Sequence, residues 1–338
     1  MSRWKLPSLS SPQVQGVLAA LLSAVVLGLS PVFGKQAINA GTPWLTVVML
    51  RTVAATGLLW LTYLSIRQLR LYTYIYPVGL VGCLAAGLIN GAGSLMYYNG
   101  LGRLDAALAQ LIYMLYPLFL TLLAQLDGYS ISRFTIFRLA LAIAAVYLLV
   151  GLETSRADPV GVALMLGGSV MYALHLVVNQ RMLQEMPAPT VTLYTLTAMS
   201  ATVVFAYFVK GRPILPPNPI AWQAVTSLML ATLLSRLMLF MGVKRLGSVQ
   251  AALLGLSELF ITVVGAHLLL DEKLTPAQWL GTGLLGFSVL LITHEKSLGV
   301  LPTPKPWLRI LTARFTTPSL PPAPPPPAPV KSSPGEGD

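Results

Sequence analysis

The chain has 338 residues, of which 55% are hydrophobic and only 10% are charged. A soluble globular protein carries roughly 25% charged residues, so the composition excludes an ordinary soluble enzyme and indicates a membrane protein. The net charge of +11 would suit nucleic acid, but the basic residues stand singly or in pairs between apolar segments, which is typical of membrane topology. The single cysteine, Cys83, excludes an internal disulfide and argues against a metal cluster.

The first apolar run extends from Val14 to Leu29 and follows a short basic segment, residues 1–13. Signal peptides share this pattern and are the alternative interpretation. No A-x-A-like cleavage site follows the run, however, and the apolar pattern continues to Phe33. The sequence therefore predicts a cytoplasmic N-terminus followed by an uncleaved first span.

Further apolar segments follow along the whole chain. A bilayer core needs about 20 apolar residues in a helix to cross it. Every span is predicted to be helical, because backbone groups in lipid must find their hydrogen bonds within the segment. The predicted spans are residues 14–36, 44–65, 75–98, 104–125, 134–152, 160–180, 190–209, 220–242, 248–270 and 277–294.

Part of the sequence occurs twice. Residues 94–126 align with residues 236–268 without a gap, so that Gly100 falls on Gly242. With five spans in each half, the second half starts from the opposite side of the membrane. The sequence thus predicts an all-α polytopic membrane protein, with ten transmembrane helices arranged as two inverted five-helix repeats. Inverted repeats of this kind are typical of transporters whose substrate site lies between the halves.

The repeats are predicted to cover residues 14–152 and 160–294, followed by a tail, residues 296–338. Lys and Arg are more frequent in the loops on the side of the N-terminus, which places both termini in the cytoplasm. The tail contains the proline-rich stretch Leu320–Pro327, which favours polyproline II and cannot pack as a core. It is predicted to be largely disordered, either as a flexible spacer or as a docking segment for a partner that reads proline motifs.

Several short motifs stand at corresponding joints of the spans. Ser30–Lys35 closes the first span, Asn99–Leu101 leads into the fourth, and Asp271–Gly281 links the ninth to the tenth. Tyr116–Leu118 and Glu258–Phe260 occupy the equivalent positions of spans four and nine. Together with the repeat, these motifs resemble the EamA family of the drug/metabolite transporter superfamily over residues 14–294.

The resemblance implies a secondary transporter in a bacterial plasma membrane. It predicts movement of a small metabolite (an amino acid, a related metabolite or a drug-like compound) by alternating access, with export as the expected direction. Spans four and nine line the central cavity in this family. The chain departs from the family pattern, since span four lacks the glutamate and span nine lacks the proline of the usual Glu-Pro step. The two repeats are therefore expected to contribute unequally to the site.

Three charged residues, Arg51, Arg236 and Glu258, lie well inside the predicted spans, where a charge needs a functional or structural explanation. A charge near the bilayer centre costs at least ~2.5–3.5 kcal/mol even on insertion scales. Glu258, near the middle of span nine, either carries a proton or a cationic group, or is the permanent partner of an arginine. Arg236 in span eight is the predicted partner. Arg51 in span two is either an anchor or helix-packing contact, or a ligand for a substrate carboxylate.

Aromatic and polar residues complete the candidate site. Tyr113 and Tyr116 are three residues apart in span four, so they share a face of a continuous helix. Tyr97 and Asn99 come just before that span. These side chains either pack in the core or line a pocket, and His175 in span six is either a core histidine or a proton relay.

Other classes of function have weaker support. The chain has only three histidines, and it contains neither an H-E-x-x-H nor a G-x-S-x-G motif that would indicate an intramembrane enzyme. A non-transporting sensor or scaffold that acts through the proline-rich tail is the other alternative. We expect no enzymatic activity, cofactor, metal or nucleic-acid partner, whereas the lipid bilayer and a small-molecule substrate are the expected partners.

Overall fold

A computed structural model describes residues 12–126, 158–211 and 214–271, together with the isolated positions 133, 136, 137, 140, 141, 144, 276, 279, 280, 283 and 284. These residues all belong to one structural unit, Met1–Pro302. Predicted spans five and ten lie almost wholly outside the described residues, as do the N-terminal segment and the proline-rich tail.

All the regular elements within the described residues are helices. Eight helical segments are long and apolar enough to cross a membrane, and they correspond to predicted spans one to four and six to nine. A 3-10 helix, Arg67–Thr73, connects spans two and three. The α-helices are α1 (Pro12–Gly28), α2 (Ser30–Asn39), α3 (Trp44–Ser65), α4 (Pro77–Arg103), α5 (Ala106–Tyr113), α6 (Tyr116–Leu126), α7 (Pro159–Glu185), α8 (Ala188–Val209), α9 (Pro219–Leu246), α10 (Ser248–Gly255) and α11 (Ser257–Leu270).

Spans one and four are each broken into two helices next to a proline. The first break is at Leu29, where Pro31 cannot donate to a carbonyl one turn back. The second break, at Met114 and Leu115, precedes Pro117 in the same way. Thr262 of α11 donates to the carbonyl of the last residue of α1 at 2.6 Å, so a neighbouring span satisfies a carbonyl at the first break.

Span nine is broken at Leu256 although it contains no proline. Ser257 donates through its hydroxyl to the carbonyl of Leu254 at 2.8 Å, in addition to the backbone N–H that donates to that carbonyl at the end of α10. Tyr116 and Glu258 fall on each other when the repeats are aligned. Tyr116 begins α6 and Glu258 lies in the first turn of α11, so the two repeats are broken at equivalent points.

The first span of each repeat packs against the third span of the other. A Cβ at Gly16 of α1 would lie 3.0 Å from Leu246 of α9, and a Cβ at Gly161 of α7 would lie 2.9 Å from Leu104, the residue that follows α4. Leu104 and Leu246 are aligned residues of the two repeats, and the two glycines both lie near the start of the first span of their repeat. The contacts are therefore counterparts, as expected for repeats related by a two-fold axis.

The helices in these contacts run antiparallel. Along α1 and α9, Gly16 faces Leu246, whereas Ser23 donates to the carbonyl of Ser235 at 2.9 Å. The pairing of α4 with α7 follows the same rule. Since successive spans of a membrane protein alternate in direction, α1 and α4 run the same way and α7 runs opposite to both. This is the arrangement that two repeats of opposite orientation produce.

Two bundles result, and each contains helices from both repeats. The first bundle consists of α1, α2, α9, α10 and α11, and the second consists of α4, α5, α6 and α7. Helices α3 and α8 pack on each other, while α3 also packs on α9 and α8 on α4. The most extensive helix contacts, α4 with α7 and α1 with α9, lie inside the bundles and join the two repeats.

Candidate functional site

A polar cavity lies between the two bundles, beside the breaks in spans one, four and nine. The first bundle supplies residues from both sides of the break at Leu29, together with Arg236 and Glu258. The second bundle supplies side chains from α4, α5 and α7, and α3 supplies Arg51. The cavity has a volume of about 40 Å³, which is room for about three water molecules.

The three charged side chains predicted from the sequence all line this cavity. Arg51 and Arg236 are each 5% exposed, and Glu258 is 1% exposed. Burying a charge without a partner is costly, so the environment of each one is informative. The carboxylate and Arg236 belong to the first bundle, whereas Arg51 lies on α3.

The guanidinium of Arg51 connects the two repeats. It donates through Nη2 to the hydroxyl of Ser94 at 2.8 Å and through Nη1 to the hydroxyl of Thr232 at 3.2 Å. Its central carbon lies 4.5 Å from the centre of the Tyr98 ring, a cation–π distance. Its Nε has no hydrogen-bond partner among the described residues. Arg51 is therefore held by neutral groups, with one donor left over.

Arg236 is held by fewer groups. It donates through Nη2 to Asn90 Oδ1 at 3.3 Å, and its guanidinium lies 5.4 Å from the centre of the Tyr172 ring. Its Nε and Nη1 are buried without a partner in the described part of the chain. The predicted ion pair with Glu258 is absent: among the described residues the salt bridge present joins Arg103 and Asp158. Arg236 and Glu258 both line the cavity, but Arg236 Nη2 donates its hydrogen bond to Asn90 Oδ1 and not to the carboxylate of Glu258.

Glu258 lies in the first turn of α11, where the unpaired backbone N–H groups of a helix favour a negative charge. Its Oε2 is buried and has no hydrogen-bond partner within the described ranges. Close packing fixes the backbone here, because a Cβ at Gly28 would lie 2.6 Å from the Glu258 carbonyl oxygen. The break in span nine therefore positions the carboxylate of Glu258, and one of its oxygens accepts no hydrogen bond from the described residues.

Tyrosine rings form the wall supplied by the second bundle. The rings of Tyr97 and Tyr113 are 4.6 Å apart, and those of Tyr113 and Tyr172 are 5.5 Å apart. Tyr97 donates to Gln110 Oε1 at 2.8 Å. The hydroxyl of Tyr172 is buried, and no described residue hydrogen-bonds to it. The cavity thus has charge on one side and aromatic surface with hydroxyl groups on the other.

The structure brings five of the eight predicted site residues to the cavity wall: Arg51, Tyr97, Tyr113, Arg236 and Glu258.

The other three predicted residues lie outside the wall. Tyr116 is behind it, with its ring 4.8 Å from that of Tyr172. His175 is fully buried and stacks on Tyr172 at 5.4 Å, and neither of its ring nitrogens has a hydrogen-bond partner among the residues described. Asn99 accepts a hydrogen bond from Arg103 Nε at 3.3 Å, at the end of α4.

Sequence reasoning did not select several residues that build the site. Tyr172 is the most important, since it contacts Arg236 and the rings of Tyr113, Tyr116 and His175. The sequence feature that could have identified Tyr172 as a site residue is its position one helical turn before His175 on α7. The wall also includes the apolar residues Leu27 and Pro31, and the remaining wall and supporting residues are polar or aromatic: Ser30, Asn90, Ser94, Tyr98, Gln110 and Thr232.

Two features elsewhere bear on the function. Arg103 Nη1 and Asp158 Oδ2 form their salt bridge at 2.9 Å, between the end of α4 and the start of α7. The hydrogen bond from the Arg103 guanidinium is the main cause that holds the pKa of the Asp158 carboxyl below its usual value, and the backbone N–H of Val160 is the second. In the part of the chain that the structure describes, no group of three or more His, Cys, Asp or Glu side chains could hold a metal ion.

Comparison with known proteins identifies relatives over most of the chain. A model of the EamA-like transporter family matches residues 14–151 and 159–294, which confirms the family predicted from the motifs. The uncharacterized transporter YcbK of Bacillus subtilis is 22% identical over 297 residues, covering 83% of this chain and 93% of YcbK. The uncharacterized transporter sll1319 of Synechocystis is 28% identical over 225 residues, covering 61% of this chain and 66% of sll1319.

A solved crystal structure shares the fold. It superposes with a TM-score of 0.63 at 19% sequence identity, over 85% of this chain and 98% of the other. At that level of sequence identity, the match shows only that the two proteins share a fold.

Proposed function

The chain belongs to the EamA-like transporter family of membrane transporters, and from that premise we propose that it is a secondary transporter which exports a small metabolite by alternating access. The cavity between the bundles is the proposed substrate site. The observation that carries the proposal is the set of buried polar atoms of Arg51, Arg236 and Glu258 that surround one cavity without partners among the described residues. Buried polar groups are ordinarily hydrogen-bonded, so a ligand that supplies the missing partners gives these atoms a reason to be there.

The breaks in three spans support the same assignment. Discontinuous membrane helices bring helix ends to the substrate sites of many transporters. Here the breaks at Leu29, Met114 and Leu256 all lie beside the cavity. A volume of about 40 Å³ holds about three waters, so the cavity in this structure admits only a very small compound. A larger substrate enters when the walls separate.

The packing of the helices favours a particular movement for alternating access. Movement of one repeat against the other would disrupt the most extensive helix contacts, α4 with α7 and α1 with α9. Movement of the first bundle against the second preserves both contacts and opens the cavity, because the cavity walls belong to different bundles. Each bundle contains helices from both repeats, so this movement keeps the two-fold relationship of the repeats.

The proposal also includes orientation and location. If the chain has the ten spans predicted from the sequence, both termini lie on one side of the membrane, and the distribution of Lys and Arg supports the cytoplasmic side. We place the protein in a bacterial plasma membrane, which is the location that the resemblance to the EamA family implies. Substrates of the proposed class are amino acids, related metabolites or drug-like compounds.

Transport by the purified protein tests the proposal. Proteoliposomes containing the full chain are loaded with a polar metabolite extract, and the compounds released are identified by mass spectrometry against empty liposomes. We expect release of a small set of compounds that disappears with Arg236→Gln and persists with Gly57→Ala, since a Cβ at Gly57 has open space around it. Release that is the same in empty liposomes, or equal in wild type and Arg236→Gln, contradicts the proposal.

A further inference from the structure

The charges that line the cavity do not balance, and the imbalance bears on what the proposed transporter carries. Two arginines and one carboxylate are the charged groups among the described residues of the wall. Arginine stays protonated in proteins, so the cavity is positive whether or not Glu258 holds a proton. On the basis of the proposed transport function, we infer that the substrate is a small organic anion: a carboxylate of net negative charge that also carries a neutral hydrogen-bond donor.

The unpartnered hydrogen-bonding atoms point to the same class of compound. Within the described residues, Arg51 Nε and Arg236 Nε and Nη1 are three donor nitrogens without acceptors. Glu258 Oε2 is the carboxylate oxygen without a donor in the same set. A substrate carboxylate accepts from the arginines, and hydrogen bonds between charged groups are roughly twice as strong as neutral ones. A hydroxyl or amide N–H on the same compound supplies the donor for Glu258.

Zwitterions and cations fit this cavity less well. A substrate ammonium group adds a positive charge to a site that already has an excess of positive charge, and Glu258 is the one acidic group among the wall residues that the structure describes. An amino acid, with no net charge, leaves the excess uncompensated in a buried site. A net anion removes it. The discrimination therefore comes from electrostatics and does not depend on the size of the substrate.

The aromatic wall accommodates the rest of the compound. Tyr97, Tyr113 and Tyr172 present ring surface to the cavity opposite the first bundle. The hydroxyl groups of Tyr98, Tyr172 and Ser30 are buried without partners among the described residues, and they add donors or acceptors around it. None of these side chains is acidic, so none offsets the charge of the arginines.

Matched pairs of compounds test the inference while the substrate itself is unidentified. Proteoliposomes containing the full chain are loaded with hydroxy acids and with the net-neutral amino acids of the same side chain: lactate with alanine, phenyllactate with phenylalanine, and 2-hydroxyisocaproate with leucine. Members of a pair have nearly the same size and differ in the group that sets the net charge. Efflux of each compound is measured by mass spectrometry.

We expect at least one hydroxy acid to leave about tenfold or more faster than its amino acid, which corresponds to about 1.4 kcal/mol. Arg51→Gln and Arg236→Gln should bring that ratio towards one, whereas Arg51→Lys and Arg236→Lys should largely keep it. The comparison within wild-type protein decides the question even where a glutamine variant does not fold. Equal or faster efflux of the amino acid in every transported pair overturns the inference and leaves the transport function standing.

Absence of release is a separate outcome. If the wild-type protein releases no member of the pairs but releases zwitterions, cations or neutral compounds from a metabolite extract, the inference is wrong. If it releases nothing from the extract either, the proposed transport function is overturned together with the inference. Release of net anions from the extract, with loss in Arg236→Gln, supports both.

Discussion

The guanidinium of Arg236 donates to the side-chain oxygen of Asn90 at 3.3 Å, across the boundary between the two repeats. Extending the alignment of the two repeats by four residues places Asn90 on Thr232, and Thr232 accepts a hydrogen bond from Arg51 of the first repeat. Both arginines are thus held across the repeat boundary by aligned, neutral residues. Neutral partners position the guanidinium groups and leave their charge available to a ligand.

Asn90→Ala should destabilise the protein. The substitution removes the acceptor from the buried Nη2 of Arg236, and loss of one partner of a buried charged group costs about 1–3 kcal/mol. Chemical unfolding in detergent measures the effect. Asn90→Asp is the matched control, because it keeps an acceptor near Arg236: we expect it to retain stability but to lose transport of anions. Wild-type stability in Asn90→Ala would show that this hydrogen bond does not hold Arg236.

Gly28→Ala should separate α1 from α11. Its Cβ would lie 2.6 Å from the Glu258 carbonyl oxygen and 2.8 Å from the Ile261 Cβ, and overpacking of this kind costs about 1–3 kcal/mol. Gly57→Ala is the control on an open helix surface, where we expect a stabilisation of up to about 1 kcal/mol. Unfolding free energies of both variants, with transport rates, check the prediction. Equal stabilities would mean that α1 and α11 adjust to the added methyl group.

Glu258→Gln should abolish the dependence of flux on pH while leaving the fold intact. Glu258 is the one acidic residue among the described residues of the cavity wall, and glutamine keeps its shape without a titratable group. The measurement is flux in proteoliposomes between about pH 5 and 8, in wild type and variant, with Gly57→Ala as the control. A variant with wild-type flux and the wild-type pH profile would remove Glu258 from the transport mechanism.

The salt bridge between Arg103 and Asp158 should stabilise the protein at neutral pH and not in acid. Arg103 and the Val160 N–H lower the pKa of Asp158 in the folded state. A carboxyl group with a lowered folded pKa contributes stability above its unfolded pKa of about 3.9. That contribution is lost as the pH falls through the folded pKa. Asp158→Asn should therefore lower the thermal unfolding temperature at pH 7, with a difference from wild type that shrinks below about pH 4.

The substitution at Asp158 leaves the N-cap of α7 in place, because asparagine is as good an N-cap residue as aspartate. The comparison of variant with wild type therefore isolates the charge. A difference that stays constant down to about pH 3 would contradict the role given to the salt bridge.

Deletion of residues 300–338 distinguishes a transporter from a sensor or scaffold that acts through its proline-rich tail. The residues proposed to bind substrate all lie before Leu270, so we expect the shortened chain to transport at the wild-type rate. Efflux from proteoliposomes gives the answer directly. Loss of efflux with an unchanged fold would assign the tail a part in transport.

Spacing along the chain was sufficient to predict the eight described spans and the buried charges. Both follow from local composition, since lipid selects apolar runs and makes any charge within them conspicuous. None of the three breaks was predicted, and the one at Leu256 has no proline to mark it and a Ser257 hydroxyl with no distinctive sequence pattern. The antiparallel contacts of α1 with α9 depend on the two-fold arrangement of the repeats. The internal repeat in the sequence indicates this arrangement, but it does not show which helices are in contact.

Tyr113 and Tyr116 do not share a helix face, and the break in span four is the reason. Tyr113 and Tyr116 were expected on one face because they are three residues apart, and that rule holds only within a continuous helix. The helix breaks between them, so Tyr113 ends α5 at the cavity and Tyr116 begins α6 behind Tyr172. Tyr172 itself reaches the cavity from the other repeat, and contacts between repeats are not encoded in the spacing of either one.

The cross-repeat packing of α1 and α4 has a consequence for biosynthesis. Gly16 of α1 meets its partner Leu246, and Leu104 at the end of α4 meets Gly161, only when the second half of the chain has been made. The first repeat must therefore wait in the bilayer with its close-packing faces against lipid. Completion of the protein at the ribosome, more than insertion of any single span, is the event that brings the native helix pairs together.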